Sequence, residues 1–156
     1  MPGNANLREL AEAVRGLAAG ADHYRRTVAD ALGLSNNAAL AMGHLHRRGP
    51  LTPRALAADL ALTTGSITAL VDRLCDAGYA ERTAHPKDRR SLFVGLTSKG
   101  RRAIADGYAA ADPMLESGLH RLAERGVFDG LDVSRLAVLV AELGAVLSAA
   151  HLESPA

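Results

Sequence analysis

The stretch that decides the fold is LTPRALAADLALTTGSITALVDRLCDAGY, residues 51–79, because it encodes two short helices in tandem. Thr52 is placed as an N-cap, with Pro53 in the first helical position, where its missing N–H costs nothing. After a short break, a second helix carries one apolar stripe at i, i+3, i+4 and i+7 spacing, formed by Ile67, Leu70, Val71 and Leu74. Gly78 suits the end of that helix. Two helices joined so closely predict a helix-turn-helix.

The segment that follows predicts a β-hairpin with a strongly basic turn. Strands are expected at residues 79–83 and 91–96, on either side of a polar turn that contains a proline. The charged residues of that turn are Lys87, Asp88, Arg89 and Arg90. A hairpin after a helix-turn-helix is a wing, whose cations can neutralise phosphates or enter a narrow minor groove. Asp88 can orient an arginine through a fork-shaped pair.

Helical periodicity extends on both sides of this unit. The predicted flanking helices cover residues 5–31, 36–47 and 132–151. Ser35 is the expected N-cap of the second of these helices. A further helix should begin after Thr97, which caps it, and should be kinked or interrupted near Asp112 by Pro113.

The predicted fold class is therefore mainly α with a β-hairpin wing. One domain, residues 1–156, would hold a winged helix-turn-helix at 35–97 and a helical dimerisation region at 1–34 and 98–156. Two sets of apolar residues support a dimer: Leu136, Val140, Leu143 and Leu147 near the C-terminus, and Leu7, Leu10, Val14 and Leu17 near the N-terminus. The C-terminal set has the 4, 3, 4 spacing of a helix–helix seam. One copy of so small a winged helix cannot cover both, so a homodimer is expected.

Charge is unevenly distributed along the chain. The net formal charge is only +1, but residues 72–102 hold eight Lys and Arg against four acidic residues. Residues 103–156 are acidic, with three Arg against eight acidic residues. Such a basic middle predicts an anionic partner for that part of the chain.

The single cysteine, Cys75, excludes an internal disulfide and a zinc site built from cysteines. The N-terminus has no signal-peptide layout, and no run approaches the roughly 18 apolar residues of a membrane helix. We therefore expect a soluble cytoplasmic protein with no membrane partner.

The face of the second tandem helix opposite its apolar stripe carries short hydroxyls, a methyl group and one arginine. These residues are Thr64, Ser66, Thr68, Ala69 and Arg73. A face without bulky groups can approach the floor of a major groove, where hydroxyls meet base edges or phosphates and Ala69 can meet a thymine methyl. The predicted partner is double-stranded DNA. A solvated helix that happens to be rich in threonine is the competing interpretation.

Residues 51–100 resemble the winged helix of the MarR family, the multiple-antibiotic-resistance type of transcriptional regulator. The resemblance lies in LVDRL, AGY, the Glu-Arg that follows, the Asp88-Arg89-Arg90 wing and LTSKG. It implies a homodimer that binds a pseudo-palindromic operator, commonly as a repressor relieved by a small ligand or by thiol oxidation. It also implies that Asp88 places Arg90 at the minor groove.

The resemblance further implies an effector cleft between the dimerisation helices and the winged helix. From helix position, Tyr24, Met42, His44 and Tyr108 are the candidate lining residues. Redox-sensing members keep their reactive cysteine in the first helix, where this chain has none. Cys75 lies beside the apolar stripe, so we interpret it as a packed small hydrophobe.

Two other functions stay open from the sequence. One is a protein-interaction module that kept the winged helix without binding DNA. The other is a small ligand-binding or metal-binding helical protein. His44 and His46 point to different helix faces and cannot form an i, i+4 metal pair, so no metal site and no cofactor are predicted. No nucleophile–base arrangement stands out, and no enzymatic activity is expected.

Overall fold

The computed structural model describes residues 4–84 and 92–150, and the side chains of residues 8–84 and 92–144. Its helices are α1 (Asn4–Leu32), α2 (Asn36–Arg48), α3 (Pro53–Asp59), α4 (Thr64–Asp76), α5 (Ser98–Glu124) and α6 (Val133–Ala150). Its strands are β1 (Ala80–Ala84) and β2 (Leu92–Leu96). The mainly α fold with a hairpin wing is confirmed, and the predicted boundaries lie close to those observed.

Short polar residues start four of these helices in the same way. The hydroxyls of Ser35, Thr52, Thr63 and Thr97 each accept a hydrogen bond from the backbone N–H three residues further on. Each of these bonds satisfies one of the helix N–H groups that have no partner within the helix. Three of the caps were predicted, and Thr63 was not.

The core lies where the tandem helices meet α2, the wing and the first half of α5. Its largest fully buried side chains are Met42, Leu56, Ile67, Val71, Leu74, Val94 and Ile104. They come from α2, α3, α4, β2 and α5, so one apolar cluster holds the whole helix-turn-helix in place. Within the described ranges no single helix is long and apolar enough to cross a membrane. The pair α3 and α4 reaches that length and composition only together, and it is bent by 109° at its break.

The wing is a two-stranded antiparallel hairpin with an additional backbone bridge. β1 pairs with β2 in a register that sets Ala80 opposite Leu96 and Ala84 opposite Leu92. Leu51, just before α3, exchanges both backbone hydrogen bonds with Val94, at 3.0 and 2.8 Å. The base of the wing is therefore joined to the segment that leads into the helix-turn-helix.

The start of α5 is fastened to the turn that follows α4. The Thr97 hydroxyl donates to the Gly78 carbonyl at 2.7 Å, and the Thr97 N–H donates to the Tyr79 carbonyl at 3.0 Å. Lys99 donates to the Ala77 carbonyl at 2.7 Å and lies 4.7 Å from the centre of the Tyr79 ring. Gly78 itself has a φ of +72°, in the region that favours glycine.

The closeness of this contact requires a glycine in α5. A Cβ on Gly100 would lie 2.0 Å from the Tyr79 carbonyl oxygen, a backbone atom that cannot move without shifting the wing. The two motifs, AGY and LTSKG, thus meet in a single packed junction between Ala77–Tyr79 and Thr97–Gly100.

Of the two effects expected of Pro113, a kink or an interruption, the interruption is wrong. α5 continues from Ser98 to Glu124 with Pro113 inside it. A proline removes one backbone hydrogen bond, but α5 packs against α1, and Tyr24 of α1 donates to Asp112 at 2.7 Å. We infer that these contacts hold the helix through the proline despite its local cost.

The two ends of the chain present apolar surface that its own core does not cover. In α5, Ile104 and Ala111 are buried, whereas Leu115 and Leu119 further along the same stripe are 52% and 47% exposed. The other exposed large apolar residues of the helices include Leu10, Leu17, Val133, Val138, Leu139 and Val140. Leu7 and Leu147, named with the predicted seam, lie outside the described side chains.

The Gly100 contact generates the first prediction. Gly100→Ala should destabilise the fold by about 1–3 kcal/mol, because its methyl group would overlap the Tyr79 carbonyl. Gly118→Ala is the matched control in the same helix, since a Cβ there meets nothing within 4 Å, and it should raise stability by up to about 1 kcal/mol. Urea unfolding measures both. Equal stability of the two variants would show that the junction is not tight.

Candidate nucleic-acid interface

The two faces of α4 divide as the sequence predicts. Ile67, Leu70, Val71 and Leu74 are buried, at 3% exposure or less. The exposed residues include all five that were proposed to face DNA, namely Thr64, Ser66, Thr68, Ala69 and Arg73. The helix therefore presents a polar surface of mostly short side chains on the side opposite the core.

Local hydrogen bonds determine which groups on that surface are free to interact. The Thr63 hydroxyl donates to the Ser66 hydroxyl oxygen at 2.9 Å, which leaves the Ser66 proton available to an outside acceptor. The Thr68 hydroxyl donates back to the Thr64 carbonyl at 2.8 Å. Thr68 therefore offers a lone pair and a methyl group but no proton.

Arg73 is exposed on the same helix, and its guanidinium makes no hydrogen bond or ion pair with the residues that the structure describes. Next to it, an open groove of about 360 Å³ separates α4 from the start of α2. Ser35, Asn37, Ser66 and Arg73 supply its polar lining. The polar surface thus extends beyond α4, and its lining contains no acidic residue.

An ion pair connects α4 to the wing. Arg82 of β1 donates to Asp72 of α4, with Nη2 2.6 Å from Oδ1. The hydrogen bond to Asp72 is the main cause that raises the pKa of Arg82. These two residues are the Asp of LVDRL and the Arg of the Glu-Arg that follows AGY. The motifs contained them, but nothing in the sequence showed that they meet.

The four wing residues proposed to contact DNA, Lys87, Asp88, Arg89 and Arg90, lie outside the described residues. The described strands do fix where the turn leaves and re-enters the hairpin, at Ala84 and Leu92. The Asp72–Arg82 pair and the Leu51–Val94 bridge hold those strands against α4 and α3.

A cavity of about 370 Å³ lies between α1, α2 and α5. Three of the four residues proposed for an effector cleft line it together, namely Tyr24, His44 and Tyr108. Met42, the fourth, has no exposed surface and belongs to the core instead. It follows Ala41 on the inner face of α2, one position from Gly43, which does line the cavity.

The cavity combines cations, hydroxyls and apolar side chains. Arg25 and Arg47 contribute guanidinium groups that the sequence reasoning missed. Tyr24 keeps its proton, because burial and the hydrogen bond to Asp112 raise its pKa to about 12. Gly43 gives room for Tyr108, whose hydroxyl oxygen would lie 2.7 Å from a Cβ placed there.

His44 lies at the edge of this cavity nearest the helix-turn-helix. Its Nδ1 atom is buried without a hydrogen bond and lies 3.6 Å from Oδ2 of Asp59, the last residue of α3. Arg48 forms an ion pair with the same Asp59 oxygen. Burial lowers the pKa of His44, with the nearby charge of Arg47 acting in the same direction and Asp59 opposing it.

Cys75 is partly buried against the core, and that burial raises its thiol pKa. A thiol whose pKa is raised forms little thiolate at neutral pH and reacts slowly. Among the described residues, no group of three or more His, Cys, Asp or Glu could hold a metal ion.

The tandem helices, the hairpin that follows them and the bridge at its base define a winged helix-turn-helix protein. Residues 32–91 match the family model described as MarR family. Over these residues, which include the helix-turn-helix and the first strand of the wing, the chain is similar to MarR-family proteins.

One relative is the uncharacterized HTH-type transcriptional regulator YcgE of Bacillus subtilis, 37% identical over 83 residues, which cover 53% of this chain and 54% of that protein. The multiple antibiotic resistance protein MarR of Salmonella typhimurium is 38% identical over 52 residues, 33% of this chain and 36% of that protein. The chain thus spans about half the length of YcgE and about a third of the length of MarR.

Solved structures show the same fold over nearly the whole chain. RV1404 from Mycobacterium tuberculosis matches with a TM-score of 0.70 at 21% identity, covering 93% of this chain and 97% of that one. MepR of S. aureus, solved as a DNA complex, has a TM-score of 0.56 at 17% identity, with coverages of 78% and 99%. NadR, solved with 4-hydroxyphenylacetate, has a TM-score of 0.63 at 20% identity, with coverages of 95% and 98%.

The Asp72–Arg82 pair generates the second prediction. The Asp72 and Arg82 side chains are 49% and 34% exposed, so the pair should contribute only about 0.2–1 kcal/mol to folding. Asp72→Asn, Arg82→Gln and the double variant form a cycle whose coupling energy urea unfolding can measure. The coupling should shrink as salt rises, because exposed charges are screened. Strictly additive effects at low salt would contradict the pairing.

Proposed function

We propose that this chain is a homodimeric transcriptional regulator that binds specific double-stranded DNA and acts as a repressor controlled by a small effector. The observation that carries the proposal is the exposed face of α4, which is polar, low and ends at an arginine with no ion-pair partner among the described residues. The MepR structure, a DNA complex of the same fold, supports it. The cytoplasm is the compartment that this function implies.

The reading surface would be the first half of α4 in a major groove. Ser66 can donate to a phosphate or base acceptor, whereas Thr68 can only accept or make a methyl contact. Ala69 leaves room for a thymine methyl, and Arg73 would pair with a phosphate or with guanine. Asp72 serves the interface indirectly, because it holds Arg82 and with it the wing.

The wing would add a second contact on the flanking minor groove or backbone. Lys87, Arg89 and Arg90 supply its positive charge, and Asp88 would orient Arg90. The described strands support this proposal, because their pairing and the Asp72–Arg82 pair hold the hairpin beside α4.

A second copy would cover the exposed apolar surface at the two ends of the chain. Val138 and Leu139 of α6 are both 62% exposed, and Leu10 and Leu17 of α1 are similarly open. Surface of this kind destabilises a lone protomer in water and is typical of an oligomer interface. We retain residues 35–97 as the DNA-binding region and residues 1–34 and 98–156 as the dimerisation region.

The cavity between α1, α2 and α5 is the proposed effector site. Arg25 and Arg47 favour an anion, and Tyr24, Tyr108 and the apolar lining favour an attached ring or chain. NadR, of the same fold, was solved with a small aromatic acid. We infer that the chain is a regulator and not an enzyme, since the relatives it matches are HTH-type transcriptional regulators.

DNA-binding experiments would also reveal either of the two other functions that the sequence left open. A winged helix that only contacts proteins would bind no DNA fragment above background, although the basic turn does not favour that function. A ligand-binding helical protein would bind small acids without any effect on DNA.

Selection of genomic fragments with the purified protein, followed by gel-retardation assays, tests the proposal. We expect enrichment of a pseudo-palindrome whose half-sites are separated by about one helical turn, since a two-fold dimer presents two copies of α4. Recovery of no enriched sequence would reject specific DNA binding.

The third prediction concerns the two arginines. Arg73→Ala and Arg90→Ala should each weaken operator binding by about 1–3 kcal/mol and reduce its salt dependence, because each removes a groove or phosphate contact. Arg121→Ala removes the same charge from the far end of α5 and should leave affinity unchanged. Fluorescence anisotropy at several salt concentrations makes the comparison. If the two variants bind like Arg121→Ala, neither arginine contacts DNA.

The fourth prediction concerns the dimer. Leu139→Asp should dissociate it, because the substitution places an unpaired carboxylate in the shared apolar surface. The protomer should keep its fold, since Leu139 is 62% exposed within one chain. Operator binding should fall with the dimer, although no DNA-contacting residue has changed. Analytical ultracentrifugation measures the dissociation.

Ser134→Asp, exposed on the same helix, is the control and should remain dimeric. A wild-type protein that stays monomeric at micromolar concentration would overturn the proposed dimer.

A further inference from the structure

His44 is the side chain that contacts both the cavity and the helix-turn-helix. His44 lines the cavity together with Arg25, Arg47, Tyr24 and Tyr108. Its Nδ1 atom is buried and lies 3.6 Å from Oδ2 of Asp59. Asp59 is the last residue of α3, the helix that immediately precedes α4. A change in the charge of His44 therefore reaches α3 directly.

His44 and Asp59 lie slightly too far apart for a hydrogen bond between their side chains. At 3.6 Å the two atoms are too far apart for a hydrogen bond, and the buried Nδ1 has no other partner. A protonated imidazole carries N–H on both ring nitrogens, so its Nδ1 would donate to Asp59 as a charge-assisted bond.

The charges around His44 oppose that protonation in the free protein. Arg47 and Arg48 of α2 lie near it, and Asp59 of α3 is the acidic residue that acts on it. The Asp59 oxygen that faces His44 is also paired with Arg48. Arg25 of α1 lines the cavity and is itself paired with Asp22. Burial and the arginines lower its pKa, so the imidazole is neutral at neutral pH. The phenol rings of Tyr24 from α1 and Tyr108 from α5 line the same cavity.

We propose that His44 is a proton-linked contact between the cavity and α3: when a small carboxylate binds beside Arg25 and Arg47, His44 takes up a proton from water and donates Nδ1–H to Asp59. The inference rests on the proposed effector site and adds its regulation. The negative charge of the ligand cancels the effect of the arginines, and protonation then closes the 3.6 Å gap between α2 and α3.

The sign of the pH dependence follows from this order of events. Ligand binding raises the pKa of His44 from its lowered free value, so the complex holds one proton more than the free protein between the two values. Carboxylate affinity should therefore rise as pH falls through the pKa of the complex, about tenfold for each unit by which the ligand shifts it. A neutral ligand of the same shape should show no such rise.

Benzoate is the carboxylate probe, and benzamide is its neutral counterpart of the same shape. NMR titration of the imidazole protons from about pH 5 to pH 8 follows His44 directly in the full-length protein. Benzoate should raise the pKa of His44, and benzamide should not. In the protein without ligand, Asp59→Asn should lower that pKa further, because the acidic charge that raises it is lost.

Affinity measurements with variants complete the experiment. His44→Gln should bind benzoate with the same affinity across that pH range, whereas His23→Gln, an exposed histidine of α1, should keep the wild-type rise. The inference is overturned if benzoate leaves the pKa of His44 unchanged, or if Asp59→Asn does. Gel retardation without benzoate separates this failure from failure of the proposed function, since a regulator without the proton link would still bind its operator.

Discussion

The contact between the start of α5 and the turn after α4 fixes the relative position of the functional parts. Gly100 packs against the Tyr79 carbonyl at a distance that excludes any side chain, and the Thr97 hydroxyl bonds both carbonyls of Gly78 and Tyr79. α4 ends at this turn, the first strand of the wing begins after it, and α5 starts against it. A rigid junction at one point therefore sets the distance from the reading surface to the proposed dimer axis.

Local signals made most of the fold predictable. The caps at Ser35, Thr52 and Thr97 and the stripe on α4 depend on residues close in sequence, and the structure confirms them. The exposed face of α4 follows from the same periodicity. Contacts between distant residues were not predictable in this way. The Asp72–Arg82 pair joins two residues whose separation depends on the turn at Gly78, and Arg25 and Arg47 reach the cavity only because α1, α2 and α5 meet.

Two errors have the same physical origin. Pro113 predicted an interruption because its effect on an isolated helix is local, but packing along α1 holds α5 together. Met42 was proposed for the cleft from its position on α2, yet it faces the core while its neighbour Gly43 faces the cavity. In both cases tertiary contacts decided what the local sequence left open.

The winged helix-turn-helix has its own buried core, whereas the two ends of the chain leave much of their apolar surface exposed. Residues of α2, α3, α4 and the wing bury a continuous core, whereas the outer halves of α1 and α5 and the described side chains of α6 remain largely open. The cavity lies between these parts, lined by both α1 and α2. A ligand there would contact α1 and α5, the proposed dimerisation helices, together with α2, which packs against the proposed DNA-binding helices. Coupling between two sites requires contacts of this kind with both parts.

Hydroxyl-radical footprinting of the selected operator tests the central claim most directly, namely that a dimer reads DNA with two α4 helices flanked by two wings. The account predicts two protected segments related by two-fold symmetry, centred about one helical turn apart, with protection extending into the outer minor grooves. Arg90→Ala should remove the outer protection alone. A single asymmetric protected segment, or outer protection that survives Arg90→Ala, would contradict the account.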